Sequence, residues 1–149
     1  MRSPLLLTTA AAIMLSSSFL QGGTDLSRAA VDGNLTIAKE RVKAGEKVNE
    51  IDRWGWTALG WAAYYGNEEV AVWLLENGAD PNAKTTYKYG SYPSGVTPLI
   101  LAAYYGHDGI LKQMLEHKGD PTMVDSKGKT ALDYAKQFNF ERCVTILSQ

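Results

Sequence analysis

The side chains able to do chemistry in this 149-residue chain are few: His107, His117, Cys143, the adjacent Glu68 and Glu69, and the separate Asp52 and Asp80. Neighbouring carboxylates suit general acid–base work, and a thiol beside an imidazole suits nucleophilic attack. None of these residues sits in a motif that such reactions require: G-x-S-x-G, H-E-x-x-H and a phosphate-binding glycine loop are all absent from the sequence. Two histidines and one cysteine are too few for an ordinary zinc site, and Cys143 has no second cysteine to pair with. The expectation is therefore no catalytic residue, no metal ligand and no cofactor. The chain is not expected to be an enzyme.

What remains is contact chemistry. Large, stiff aromatic side chains with a polar tip offer much contact area at little entropy cost. They crowd one part of this chain: Trp54 and Trp56 beside Arg53, then Tyr64-Tyr65, then Tyr87, Tyr89 and Tyr92, then Tyr104-Tyr105, with Phe138 beyond. These eleven residues form the expected protein-binding set. The formal net charge of −1 carries no bias toward nucleic acid.

These side chains must be held by something, and the first 23 residues are not expected to contribute. "MRSPLLLTTAAAIMLSSSFLQGG" has one positive charge at Arg2, an apolar run of about eleven residues from Leu5 to Leu15, and small polar residues after it. That is the layout of a secretory signal peptide, and the run is too short to span a bilayer, which needs about twenty residues. A buried N-terminal helix is the other reading. With the signal removed, no membrane insertion is expected, and the protein would work in a periplasm or be secreted.

The rest of the chain, residues 24–149, repeats itself. Thr-x-Leu recurs at Thr24, Thr57, Thr97 and Thr130, at spacings of 33, 40 and 33 residues. Behind each come small residues, Ala29-Ala30, Ala62-Ala63, Ala102-Ala103 and Ala135-Lys136, and then a residue tolerant of left-handed backbone, Gly33, Gly66, Gly106 or Asn139. Each threonine is an N-cap, and each glycine ends a helix of about two turns. A second helix follows, capped by Asn34, Asn67 or His107, with Val70, Leu74 and Leu75 or Ile110, Met114 and Leu115 on its buried stripe. It stops at Gly45, Gly78 and Gly119, with Pro81 and Pro121 beyond two of them. Cys143 falls on the same stripe of the last unit and reads as a small core residue.

The stretch "DRWGWTALGWAAYYGNEEVAVWLLENGADPNA", and "GVTPLILAAYYGH" with "HKGDPT" after it, closely resemble ankyrin repeats of a small exported bacterial type. The resemblance implies an all-α solenoid of about four helix-turn-helix units, approximately 24–51, 52–82, 83–122 and 123–149. It departs from the family at Gly60, Ile100 and Asp133, where a histidine is usual, and the bonds that histidine makes are structural. The outer units carry polar substitutions such as Arg41 in the place of Leu74, which suits caps facing water.

Resemblance to the family also implies where a partner sits. The short first helices and the loop tips line a concave face, and the pairs Val31-Asp32, Tyr64-Tyr65, Tyr104-Tyr105 and Gln137-Phe138 project onto it. The spacing of 40 equals one repeat plus seven inserted residues within 84–96, beside the tyrosine pairs. The insertion reads as a binding loop or as a neutral addition at a tolerant site. The tyrosines read as partner contacts, as stacking between units (Tyr64 on Tyr104, or Tyr65 on Tyr105), or as both. The expected role is a monomeric protein-binding module, serving as an immunity protein against a toxin or as a helper of a periplasmic enzyme. The alternative is a carbohydrate or cell-wall binder using Trp54, Trp56 and Tyr89 as stacking platforms.

Overall fold

The computed structural model describes residues 25–87 and 92–149. The expected signal peptide, Thr24 and Tyr89 lie outside the described residues. Eight helices are present among the described residues: α1 Asp25–Asp32, α2 Leu35–Lys43, α3 Ala58–Tyr65, α4 Glu68–Glu76, α5 Pro98–Tyr105, α6 Asp108–Glu116, α7 Ala131–Gln137 and α8 Glu141–Leu147. They pair as four helix-turn-helix units. The first helices stack as one row, α1 on α3 on α5 on α7, and the second helices as another, α2 on α4 on α6 on α8. This is the all-α solenoid expected.

The local chemistry explains each short helix. Thr57 and Thr97 sit in extended backbone, and their hydroxyls accept the N–H of Gly60 at 3.2 Å and of Ile100 at 3.1 Å. Thr130 goes further: its hydroxyl accepts the Asp133 N–H while the Asp133 carboxylate accepts the Thr130 N–H, a reciprocal capping box. At the start of α1, where Thr24 was the expected cap, the Glu46 carboxylate accepts the Leu26 N–H at 2.9 Å. Between the rows lies one continuous apolar core, with Leu59, Leu74, Leu99, Ile110, Leu111 and Met114 all at 1% exposure or less. Each such side chain contributes about 1.5–3 kcal/mol by leaving water. Cys143 is part of that core, as expected.

Gly66 and Gly106 show why the turn between the two helices is written as it is. Both have φ of +73°, and a Cβ on Gly66 would lie 2.5 Å from the His107 ring, one on Gly106 2.6 Å from the Phe140 ring. The residue opening each second helix therefore lies over the turn of the unit before it. Asn67 does the same over Gly33 and donates to Ala30 O and Val31 O. Asn139, at φ +59° in the last unit, is exposed, so a side chain is tolerated there.

Three local readings are corrected. Asn34 does cap α2 through the Ile37 N–H, but neither Asn67 nor His107 makes a side-chain cap bond, because both are turned onto the preceding unit. The stop after α6, read at Gly119, falls earlier: the helix ends at Glu116, and Lys118, at φ +66° and 40 residues after Gly78, takes the left-handed place that Gly45 and Gly78 hold in their units. The ring contact between the central units is diagonal, Tyr64 against Tyr105 at 4.9 Å, and not between like tyrosines.

Away from the turns, asparagines tie the units together. Asn49 donates to Gly78 O and accepts from the Asp80 N–H, and Asn82 repeats both bonds with Lys118 O and the Asp120 N–H. In the next unit that place is held by Thr122, which bonds Asp120 of its own unit instead.

Candidate functional site

Each hairpin ahead of a first helix is built around one residue. Asp52 accepts the N–H groups of Trp54 and Trp56 on Oδ1, at 3.0 and 3.1 Å, and the Trp61 indole N–H on Oδ2 at 2.6 Å. Asp125 accepts the N–H groups of Lys127 and Lys129 on Oδ1 and the Tyr134 hydroxyl on Oδ2, also at 2.6 Å. Both aspartates are nearly buried, at 6% and 5% exposure, and both reach an aromatic residue nine positions on. The middle unit has Thr85 and Leu101 at the corresponding places. There the Thr85 hydroxyl accepts the Val96 N–H at 3.0 Å, and an apolar leucine stands where no acceptor is offered.

That register locates the insertion. Asp52 and Trp56 close the first hairpin four residues apart, as Asp125 and Lys129 close the last, whereas Thr85 pairs with Val96 across eleven. The seven extra residues lie between Thr85 and Val96. Backbone bonds then join the hairpins edge to edge: Thr86 N–H to Gly55 O at 3.1 Å and Ser126 N–H to Ser94 O at 3.0 Å.

On this scaffold the aromatic rings form one connected strip. It starts at Trp54, whose ring meets Trp61 edge-on at 5.9 Å and carries the Arg53 guanidinium 4.4 Å above it. It continues through Tyr64 and Tyr65, at 4.8 Å, to Tyr105 and Tyr104, and from Tyr104 to Tyr134 at 5.1 Å and Phe138 at 4.7 Å. Tyr92, from the insertion, sits in the middle with its ring 5.7 Å from Tyr64, 5.4 Å from Tyr104 and 6.3 Å from both Trp56 and Tyr105. Each such pair contributes about 0.5–1.5 kcal/mol beyond burial. Burial, followed by a hydrogen bond with Tyr64, raises the Tyr92 phenol well above its ordinary pKa.

The strip brings together Arg53, Trp54, Tyr64, Tyr65, Tyr92, Tyr104, Tyr105 and Phe138 of the expected set. Tyr65 is 51% exposed and Phe138 37%, while Tyr64, Tyr92, Tyr104 and Tyr105 are half-buried. Tyr87 is 61% exposed on the neighbouring hairpin and lies against Gly55, where an added Cβ would meet its ring at 3.0 Å. Trp56 is a correction. It is 1% exposed and stacked on Trp61 at 4.5 Å, and so forms the floor of the strip instead of its exposed surface.

Sequence reasoning missed Trp61 and Tyr134, which lock the hairpins from below, and Asp125, which holds Tyr134; Asp52 was read as a turn residue, as it is, but without its bond to Trp61. The nine-residue Asp-to-aromatic spacing, present in two units and absent as a pair from the third, was the available signal. The remaining chemistry-bearing groups have structural places. His117 Nδ1 lies 2.9 Å from Gln113 O, and His107 stacks on Tyr105. Burial, then the nearby Asp108 charge, pushes the Cys143 thiol up to about 11. Among the described residues, no group of three or more His, Cys, Asp or Glu is placed to hold a metal ion. No described helix is long and apolar enough to cross a membrane.

A family model described as ankyrin repeats (3 copies) matches residues 5–85, and one described as ankyrin repeats (many copies) matches residues 90–135. The chain is 52% identical over 42 residues to calmodulin-binding transcription activator 6 of Arabidopsis thaliana, covering 28% of this chain and 5% of that protein. It is 38% identical over 72 residues to ankyrin repeat and SAM domain-containing protein 6 of Rattus norvegicus, covering 48% and 8%. It is also 38% identical over 55 residues to the Notch-regulated ankyrin repeat-containing protein of Xenopus tropicalis, covering 37% and 48%. The chain thus spans less than half the length of each of these eukaryotic proteins.

Proposed function

The chain belongs to the ankyrin-repeat family, whose repeats mediate protein–protein interaction, and on that premise we propose that it is a non-enzymatic module that seats a partner protein on its aromatic concave face. The observation that carries this reading is the connected ring strip from Trp54 to Phe138, with Tyr65 and Phe138 exposed above a buried Trp56–Trp61 floor. Packing needs account for the floor and for the half-buried tyrosines. They do not account for the exposed rings of Tyr65 and Phe138 above them, and exposed aromatic rings clustered on a folded protein mark a contact site.

The reading extends to an exported protein, working in a periplasm or secreted, of the small bacterial ankyrin type. Its support is the N-terminal sequence with Arg2, the short apolar run and the small polar residues that follow. Partners of two kinds fit such a protein, an exported toxin to be neutralised or an enzyme of the same compartment to be assisted. A carbohydrate platform has less support, because Trp56 is 1% exposed and stacked on Trp61, and Trp54 meets Trp61 edge-on, as Tyr64 meets Tyr92.

The test is affinity capture from extract of the producing cells, comparing the wild type with a Tyr65→Ala, Tyr105→Ala, Phe138→Ala variant whose helicity is verified by circular dichroism. A truncated hot-spot aromatic costs about 2 kcal/mol or more, roughly thirtyfold in affinity. A partner retained by the wild type and lost by the variant supports the reading. Equal capture by both refutes it. Fractionation, with N-terminal sequencing of the mature chain, tests export.

A further inference from the structure

The charges around the aromatic face are unevenly placed. The helices α3 and α5 that form its centre carry no charged residue. The hairpins bordering it carry the cations Arg53, Lys84, Lys127 and Lys129, of which the first three are exposed and the fourth half-buried. Their only described carboxylates, Asp52 and Asp125, are nearly buried, with their oxygens taken by hairpin N–H groups and by the Trp61 indole or the Tyr134 hydroxyl. The Lys129 ammonium stands 5.2 Å over the Tyr134 ring and donates to Gln137 on α7, which holds cationic charge at the far end of the strip. The Arg53 guanidinium over Trp54 holds it at the near end. The first helices at the ends of the row carry Asp25 and Asp32 on α1, the latter paired with Arg28 at 2.7 Å, and the exposed Asp133 on α7, whose carboxylate accepts from the Thr130 N–H and hydroxyl.

On the opposite row the sign is reversed at α4, whereas α2 carries Lys39, Arg41 and Lys43 against Glu40. Residues 67–83, which contain α4 and the loop after it, include Glu68, Glu69, Glu76 and Asp80, all exposed, and no lysine or arginine. A chain of net charge −1 is thus polarised, with a cationic rim at the hairpins and an anionic patch behind. Such a field steers an anionic segment toward the aromatic face and away from α4 and the loop after it.

Resting on the reading above, we infer that the partner segment seated on the aromatic face is acidic and extended, its carboxylates meeting the hairpin cations and its apolar side chains meeting the tyrosines. The phenol hydroxyls add to this, because each can donate to a carboxylate. Charges at the rim act on encounter and register more than on final affinity, so the binding should be strongly salt-dependent.

The experiment uses the full chain and three labelled probes read by fluorescence anisotropy: a random glutamate–tyrosine copolymer, a lysine–tyrosine copolymer of the same composition, and an oligothymidylate of matched charge. The expected result is binding of the glutamate–tyrosine copolymer alone, weakened about tenfold between 50 and 500 mM salt and about tenfold in an Arg53→Gln, Lys127→Gln, Lys129→Gln variant that keeps wild-type helicity. Equal binding of the lysine–tyrosine copolymer, equal or tighter binding of the oligothymidylate, or an unchanged affinity in the charge variant overturns the inference. The captured partner separates this inference from the reading beneath it. Capture lost by the aromatic variant and kept in full by the charge variant refutes the acidic segment and leaves the docking face standing, whereas capture kept by the aromatic variant refutes the docking face itself.

Discussion

Asp52→Asn and Asp125→Asn are the same substitution at the same register, and the structure requires them to have different costs. Asp52 is nearly buried and accepts from three donors: two backbone N–H groups and the indole N–H of Trp61, itself 4% exposed. An indole nitrogen donates only. Whichever way an asparagine amide turns, its NH2 faces either the Trp61 N–H or the N–H groups of Trp54 and Trp56. The charge-assisted bond is worth about 1.5–3 kcal/mol, and a buried donor without an acceptor costs about 1–3 more, so Asp52→Asn should lose roughly 3 kcal/mol or more. At Asp125 the third partner is the Tyr134 hydroxyl, which accepts as readily as it donates. The asparagine NH2 then finds an acceptor, only the charge is lost, and the cost falls to about 1 kcal/mol. Urea unfolding followed by circular dichroism measures both. In a Trp61→Phe background, which has no indole N–H, the cost of Asp52→Asn should drop to about 1 kcal/mol, a coupling of roughly 2 kcal/mol. Equal costs for the two single variants, or no coupling between Asp52 and Trp61, would show that the hairpins are not held in the way described. Trp54 and Arg53 would then not be fixed at the end of the aromatic strip by Asp52.

The remaining predictions concern the turn, the phenols and the thiol. Gly106→Ala places a Cβ 2.6 Å from the Phe140 ring at φ +73°, so it should cost about 3 kcal/mol in urea unfolding, whereas Asn139→Gly at the exposed last turn should stay within about 0.5 kcal/mol. Tyr92, raised by burial and then its bond with Tyr64, and Tyr134, raised by burial and then its bond to Asp125, hold their protons longer folded than unfolded. The stability they contribute is complete below the ordinary tyrosine pKa of about 10 and declines as the pH rises above it; a 295 nm titration should show a late component that loses one phenol in each of Tyr92→Phe and Tyr134→Phe. Cys143, fully buried with its thiol pushed up to about 11, should resist a thiol-specific reagent at pH 8 until the protein is denatured.

Much of the fold was legible because its determinants are local. Thr57, Thr97 and Thr130 cap the helices they precede, and Gly33, Gly66, Gly106 and Asn139 all take positive φ, since caps and turns depend on residues a few positions apart. Cys143 was placed in the core by periodicity alone. What escaped depends on contacts between units. Nothing near Asn67 in the chain reveals that its amide bonds carbonyls 36 and 37 residues earlier. Trp56 and Trp54 look equivalent in sequence, yet Asp52 bends the hairpin so that one is buried on Trp61 and the other meets it edge-on at the rim. The tyrosine pairs were read as ending the first helices, as they do, but their diagonal packing, and the seat of Tyr92 among them, follow from how far each unit is offset from the next.

The central claim is that the partner meets the first-helix face and not the outer row. Site-specific photo-crosslinking tests it most directly, with a photoreactive phenylalanine analogue replacing either Tyr65, exposed on the aromatic strip, or Glu69, exposed on α4. The account predicts a crosslink to the captured partner from position 65 and none from position 69. A crosslink from 69 with none from 65 would contradict it.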